Sequence, residues 1–324
     1  MRYIVTGTDG QLGSRVASNM LKAVEGKNLI FTCVNLRRIP AHVLEQWIKQ
    51  GVEVKEANYD NKKQMIKVFT GSDRLFVVSS IINGPKRIQQ HKNVIDAAIA
   101  AGVQHLTYTS FLGADREGYN QYVLPDHTAT EQYLRDSGIE YNVMRNNLYM
   151  ENYLINSLLL ANISDNKWIT PAGDGKASFI AKDDSGRVGA ALLMGKGELN
   201  TAYDVTGGEL ISEKEICAMI AAVSGIPYTY YGVSPADFFE YLDSLHIPKT
   251  TDGDFSQSPV PFCGNDMVTN EFSIRDGLMA VQSDAVQMLT GRKPLRAEDL
   301  LETYSFVWKE RVSTYWDLSK FLYR

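Results

Sequence analysis

The 324-residue chain has little cysteine, little histidine and no surplus of positive charge. Cys33, Cys217 and Cys263 form no CxxC pair and no metal-ligand spacing, which excludes a disulfide scaffold and a zinc module. Such sparse, odd usage suits a reducing compartment. Thirty-three Lys and Arg face 38 Asp and Glu, a net charge of −5, so no basic field exists to hold nucleic acid or anionic lipid. The longest apolar runs, 154–163 and 188–194, fall short of the roughly 20 residues of a spanning helix. The apolar run at 3–5 is too short for a secretion signal. A soluble, cytoplasmic protein is expected, with no direct nucleic-acid contact and no membrane. Nucleophile elbow, P-loop and HExxH motifs are absent, as are repeats and low-complexity linkers.

What is present alternates. Strand patterns at 3–5, 29–34, 52–54, 75–79, 105–110 and 140–144 are separated by helical patterns at 11–24, 42–49, 62–69, 87–101 and 129–137. Gly51, Gly102 and Gly138 each fall between a helix and the next strand, where a left-handed residue is wanted. This is the pattern of an α/β fold, a Rossmann-type doubly wound parallel sheet, with a smaller α/β C-terminal substrate domain. Residues 1–150 are expected to bind a dinucleotide; 151–324 form a substrate-binding region partly interleaved with the first. In that second half, strands are expected at 179–181, 203–205 and 228–231, and helices at 183–194, 212–224, 235–244 and 297–311. Segment 250–262, rich in Asp, Ser, Gly and Pro, reads as a mobile loop, either a lid or a disordered insertion. The aromatic tail (Tyr315, Trp316, Phe321, Tyr323) is expected to dock on its own chain or on a second subunit.

Thr6-Gly7-Thr8-Asp9-Gly10-Gln11-Leu12-Gly13 follows the first strand and opens the first helix. The spacing is GxxGxxG rather than GxGxxG, but the physics is shared. Gly7 permits the tight turn, Gly10 lets the backbone approach a pyrophosphate, and Gly13 allows close helix–strand packing. An NAD-specific site usually carries an acid at the end of the second strand; here the stretch Asn35-Leu36-Arg37-Arg38 has two arginines instead. A guanidinium can pair with a 2′-phosphate, which favours NADP(H) while leaving NAD(H) possible. Asn58 and Asp60 lie where an adenine edge would be, or are turn residues.

The YxxxK pair of a standard short-chain dehydrogenase is missing. Only Tyr59 has a lysine four residues on (Lys63), and its position after the third strand marks a coincidence. His127, after Pro125, is either a proton relay or a surface residue of a helix's first turn. His42, His91, His105 and His246 read as structural or exposed.

Further motifs carry a resemblance. They are Gln90-His91-Lys92-Asn93-Val94, Tyr108-Thr109-Ser110, His127-Thr128-Ala129-Thr130-Glu131, Arg145-Asn146-Asn147-Leu148-Tyr149 and Ala172-Gly173-Asp174-Gly175-Lys176. With the glycine turn, they make the chain similar to the NmrA-like, atypical short-chain dehydrogenase group. Within it, the chain resembles the type-2 NAD(P)H:quinone oxidoreductases, with triphenylmethane dye reductases nearby. The resemblance implies that Gly7, Thr8, Asp9, Gly10, Gln11 and Leu12 hold the pyrophosphate end of the cofactor. Ser79, Ser80 and Ser110 would lie along the cofactor, beside Arg37, Arg38 and Asn58 of the reading above. Here the chain departs from the family, whose Val-Arg-Asn turn after the second strand has Asn35 in place of its Arg and a slightly longer loop. Phe111, Asn147, Leu148 and Tyr149 would line the substrate cleft, with His127 and Tyr149 as catalytic candidates. The implied activity is hydride transfer to a quinone-like or other conjugated aromatic electrophile. Enones, benzylic aryl ethers, or a redox-sensing regulator without turnover remain as alternatives. A small aromatic substrate is the expected partner, with a homodimer possible.

Overall fold

The computed structural model describes residues 1–318. Its first half builds β1 (Tyr3–Val5), α1 (Gln11–Ala23), β2 (Leu29–Cys33), α2 (Ala41–Lys49), β3 (Glu53–Glu56), α3 (Lys62–Phe69), β4 (Arg74–Val77), α4 (Pro85–Ala100), β5 (His105–Phe111), α5 (Leu124–Asp136) and β6 (Glu140–Asn146). Then come α6 (Met150–Asn152), a π turn (Tyr153–Ser157), α7 (Leu158–Ile163), β7 (Lys167–Thr170), β8 (Lys176–Ala177), α8 (Lys182–Leu193) and β9 (Thr201–Val205). The remainder is β10 (Ile211–Ser212), α9 (Glu213–Ser224), β11 (Thr229–Gly232), α10 (Pro235–Ser244), α11 (Gly264–Arg275), α12 (Ala285–Thr290), α13 (Ala297–Leu300) and α14 (Phe306–Lys309).

The main sheet has the order β3-β2-β1-β4-β5-β6-β9, with every pairing parallel. Its strands are short, apolar and buried because helices cover both faces. Val16, Met20 and Trp47 share one face with Val188 and Leu192; Met65, Val94 and Leu134 lie in the core of the other. A third core, around Trp168, Leu158 and Ile220, belongs to the second half of the chain. The strand order reverses beside β1, and the crevice beyond the carboxyl ends of β1 and β4 is the ligand position of such sheets.

Apart from an earlier start of α5, the first-half elements stand where the sequence places them, and Gly51, Gly102 and Gly138 take φ of +85°, +79° and +75°. The second half departs more. β9 and α8 return to the main sheet, as interleaving requires. Residues 179–181 are not a strand: Ile180 makes only an isolated bridge to Tyr149. The expected helix at 297–311 is broken into α13 and α14 with turns between. The apolar run at 154–163 folds into the π turn and α7, because it is buried on all sides rather than on one stripe. Among the described residues no helix is long and apolar enough to cross a membrane, and no cluster of His, Cys, Asp and Glu could hold a metal.

His105 shows how little the core tolerates charge. It has no exposure, donates through Nε2 to Asn142 Oδ1 at 2.9 Å, and leaves Nδ1 without a partner. Burial, with Arg74 nearby, lowers its pKa to about 4. Between pH 6.5 and 4 the unfolded chain therefore binds a proton that the native chain does not, so stability falls as pH falls. The slope is about 1.4 kcal/mol per pH unit. Urea unfolding of wild type and His105→Gln at pH 8 and pH 5 should differ in pH dependence by about 2 kcal/mol. An identical dependence in both proteins would show that His105 titrates in the native chain as it does in the unfolded one.

Candidate functional site

The glycine turn is built as a cradle. Thr6 donates its amide to Phe76 O on β4 (3.0 Å), and Thr8 donates to Thr32 O on β2 (3.0 Å), so the turn spans the switch point. Gly7 has φ +62°, and a Cβ on Gly13 would lie 2.1 Å from Gly7 O. Helix geometry leaves the amides of Gln11, Leu12 and Gly13 without intrahelical acceptors, at the positive end of the α1 dipole. Tyr59 lies beneath, donating to Val78 O (2.9 Å) and bonded to Thr6 Oγ1 (2.6 Å), so this half-buried hydroxyl is engaged in supporting the turn.

The flank at β2 is charged. Arg38 Nε meets Asp9 Oδ2 at 3.0 Å, while Arg37 is exposed on a short 3-10 turn (Leu36–Arg38) whose start is held by Asn35. Asn58 Oδ1 accepts from Asp60 N, so both residues form an Asx turn.

Beside β4 and β5 the structure assembles a buried aromatic and polar cluster. α5 begins five residues earlier than the pattern suggested, so His127 lies within its first turn and is buried, not on the surface. Tyr108 Oη is 2.8 Å from His127 Nδ1 and 3.3 Å from His91 Nδ1. His91 Nδ1 is also 2.9 Å from Thr130 Oγ1, which donates to Asp126 O (2.7 Å). His91 Nε2 accepts the backbone N–H of Ser80 at 3.0 Å. Burial, then the Arg87 cation, holds His91 at about 3 and pushes His127 well below the ordinary histidine value; both rings are neutral. Phe111 stacks on His127, centroids 6.2 Å apart. His91 and Tyr108 are site residues that sequence reasoning did not single out. Both lie in the motifs that carry the resemblance, but their spacing alone does not reveal that they meet.

The other candidates are placed as follows. Ser79 N donates to Thr109 Oγ1 (2.8 Å), and Ser80 Oγ is buried without a partner. Ser110 is turned into the fold: its hydroxyl donates to Glu131 Oε1 (2.6 Å), which also binds Arg145. Asn147 is fully hydrogen-bonded, donating to Ser178 Oγ and Met279 O and accepting from Leu148 N. Leu148 is core. Tyr149 lies under Lys182, whose ammonium is 5.3 Å from the ring centroid. Lys182 Nζ donates to Gln11 Oε1 (2.6 Å) and Asn152 Oδ1 (3.1 Å), and burial lowers its pKa to about 8 against the pull of Glu151. This cation beside the glycine turn had no sequence signal either.

Segment 250–262 is anchored rather than disordered. Val260 is fully buried; Thr251 Oγ1 accepts from Asn83 N (3.3 Å) and Pro259 O from Tyr315 N (2.8 Å). Trp316 Nε1 donates to Ser258 O, and Gln11 Nε2 to Tyr315 Oη (2.9 Å). The described part of the tail thus docks on its own chain; Phe321 and Tyr323 lie outside the described residues. Together the loop and tail run from the glycine turn to the loop after β4.

The NmrA-like family matches residues 2–272. The chain belongs to that family. Quinone oxidoreductase 2 of Escherichia coli (strain K12) is 33% identical over 244 residues, 75% of this chain and 82% of that protein. An NAD(P)H azoreductase of Xenophilus azovorans is 24% identical over 248 residues, covering 76% and 82%. Among solved structures, an NADPH-dependent quinone oxidoreductase of Escherichia coli complexed with NADPH superposes with a TM-score of 0.81 at 28% identity, covering 95% of this chain and 100% of that one. Triphenylmethane reductase of Citrobacter sp. gives 0.80 at 26%, covering 94% and 100%.

The cradle of this NmrA-like chain separates two glycine roles. Gly10 has φ −100°, and a Cβ there meets only Gly7 O at 3.3 Å. Gly10→Val should keep the fold and lose dinucleotide binding by calorimetry. Gly13→Ala, which drives a methyl into backbone, should lower Tm by several degrees. Undiminished binding by a folded Gly10→Val protein would move the pyrophosphate away from this turn.

Proposed function

We propose that the chain is an NAD(P)H-dependent reductase that prefers NADPH and reduces a quinone-like conjugated aromatic acceptor. The observation that carries this reading is the pairing of the glycine cradle with a buried, uncharged His127–Phe111 wall and no strong acid. The relatives' quinone, azo-dye and triarylmethane chemistry supports the same class of flat, electron-poor acceptor.

The residues fit a dinucleotide. The turn at Gly7, Gly10 and Gly13 leaves backbone room for a pyrophosphate, with the α1 amides facing it and Lys182 adding positive charge. Arg37, free of the Asp9 pairing that holds Arg38, is placed to meet a 2′-phosphate. Bound reduced nicotinamide supplies a hydride. The chain's part is to hold the acceptor flat against Phe111 and His127 and to keep water out while the reacting atoms are aligned. A quinone is electrophilic without prior protonation, so the missing YxxxK pair is no obstacle.

Oxidation of NADPH and NADH should be followed against benzoquinones, naphthoquinones, an azo dye, a triarylmethane dye and enones. Turnover with quinones, faster with NADPH, is expected. Tight dinucleotide binding without oxidation of any acceptor would replace this reading with a dinucleotide-sensing regulator. Replacing Arg37 and Arg38 together by Ala should weaken NADPH about tenfold or more and leave NADH nearly unchanged, as expected for loss of a charge-assisted contact. Equal weakening of both cofactors would place the 2′-phosphate elsewhere.

A further inference from the structure

The hydrogen bonds behind His127 have a direction. It starts at the amide of Ser80, in the loop after β4. A backbone N–H can only donate, so His91 Nε2, 3.0 Å away, carries no proton and accepts. The single proton of neutral His91 is therefore on Nδ1. That nitrogen faces Thr130 Oγ1 at 2.9 Å and Tyr108 Oη at 3.3 Å. Thr130 directs its own hydroxyl proton to Asp126 O (2.7 Å), so it accepts from His91. Tyr108 Oη likewise receives the His91 N–H on its lone-pair side, and its phenolic proton points to His127 Nδ1 at 2.8 Å. His127 Nδ1 is then an acceptor, and the ring's proton sits on Nε2. Among the described residues His127 Nε2 has no hydrogen-bond partner.

We propose that His127 serves the reductase as a neutral hydrogen-bond donor through Nε2–H, its tautomer fixed from the Ser80 amide through His91 and Tyr108. The kinetic half of this inference rests on the reductase reading; the tautomer half does not. In the reaction, the acceptor gains a hydride and with it two electrons, the nicotinamide is oxidised, and one acceptor oxygen becomes an oxyanion. His127 Nε2–H donates to that oxygen and keeps its proton; a proton from water then completes the quinol. His127 is the catalytic residue, and Tyr108 and His91 are positioning residues. A neutral donor is an effective choice here, because a fixed N–H dipole needs no reorganisation when charge develops.

The charges around the ring agree with this role. On α4 the nearby groups are Arg87 and His91; on β5, Tyr108; on α5, Asp126 and Glu131, which binds Ser110 of β5; and on α11, Asp266, which faces Arg87. Arg87 is buried with Asn83 Oδ1 at 2.8 Å and Asp126 at 4.0 Å, and its cation disfavours a second positive charge on His127. A histidine held in this way donates but does not titrate.

The test needs no bound cofactor. In ¹⁵N-histidine correlation spectra of the wild-type protein, His127 should show the Nε2–H tautomer pattern, unchanged from pH 5.5 to 8. An Nδ1–H pattern, or a doubly protonated ring anywhere in that range, overturns the proposal. Tyr108→Phe should turn the single pattern into a tautomer mixture at unchanged NADPH affinity, with kcat falling about fivefold to tenfold, the scale of one neutral hydrogen bond. A single Nε2–H pattern persisting in that variant removes Tyr108 from the role. In quinone turnover His127→Ala should lose about 100-fold in kcat, the scale of an oxyanion donor. His127→Gln, a donor that cannot take up a proton, should recover most of that loss. Gln as poor as Ala would mean that a proton is transferred from the ring and would overturn the neutral-donor role. Failure of wild type to turn over any acceptor would strike the reductase reading, while the spectra still decide the tautomer.

Discussion

Asn147 holds the two halves of the molecule in register. Its amide N–H bonds Val205 O on β9, and its side chain reaches Ser178 Oγ, Met279 O and the Leu148 N–H, all at 2.7 to 3.0 Å. One buried side chain thus fastens the carboxyl end of the sheet to two separate segments of the second half. A buried carbonyl or amide left without a partner costs about 1–3 kcal/mol. Shifting either half against the other would break several such bonds at once. Phe111 at the end of β5 and Tyr149 after β6 are placed on either side of this seam in the chain. The family resemblance implied that Asn147 lines a substrate cleft; in the structure its side-chain amide is occupied by these internal bonds.

The first half of the chain was legible because its signals are local. Period, turn glycines and the order of elements follow from backbone sterics and from burial on one or two faces, and both are written in adjacent residues. The glycine turn, the arginines after β2 and the place of His127 near a helix start could be read in the same way. The second half resisted because its elements are set by long-range packing. The run at 154–163 has no amphipathic stripe, and 297–311 has helical spacing but turns at 301–305 to keep Tyr304 on Arg15.

Site residues that act through partners distant in sequence were the hardest to see. His91 and Tyr108 are unremarkable in their own segments; one lies mid-helix and the other mid-strand. Only the register of β4 beside β5, Phe76 against Thr107 and Val77 against Tyr108, brings the Ser80 amide and the Tyr108 hydroxyl to the same ring. Ser110 illustrates the converse. The family resemblance implied that it flanks the cofactor; alternation along β5 turns its hydroxyl inward to Glu131. Lys182 belongs to the same class, since nothing in Phe179-Ile180-Ala181-Lys182 foretells a contact with Gln11.

The bond from Gln11 to Tyr315 joins residues 304 positions apart. A contact of that span closes nearly the whole chain into one loop, and it forms only after both halves have taken their places. During synthesis the glycine turn precedes Tyr315 by those 304 positions, so it stays uncovered until Tyr315 has left the ribosome. The glycine turn is therefore covered only by the last described segment of the chain, and its closure reports that both halves are in place.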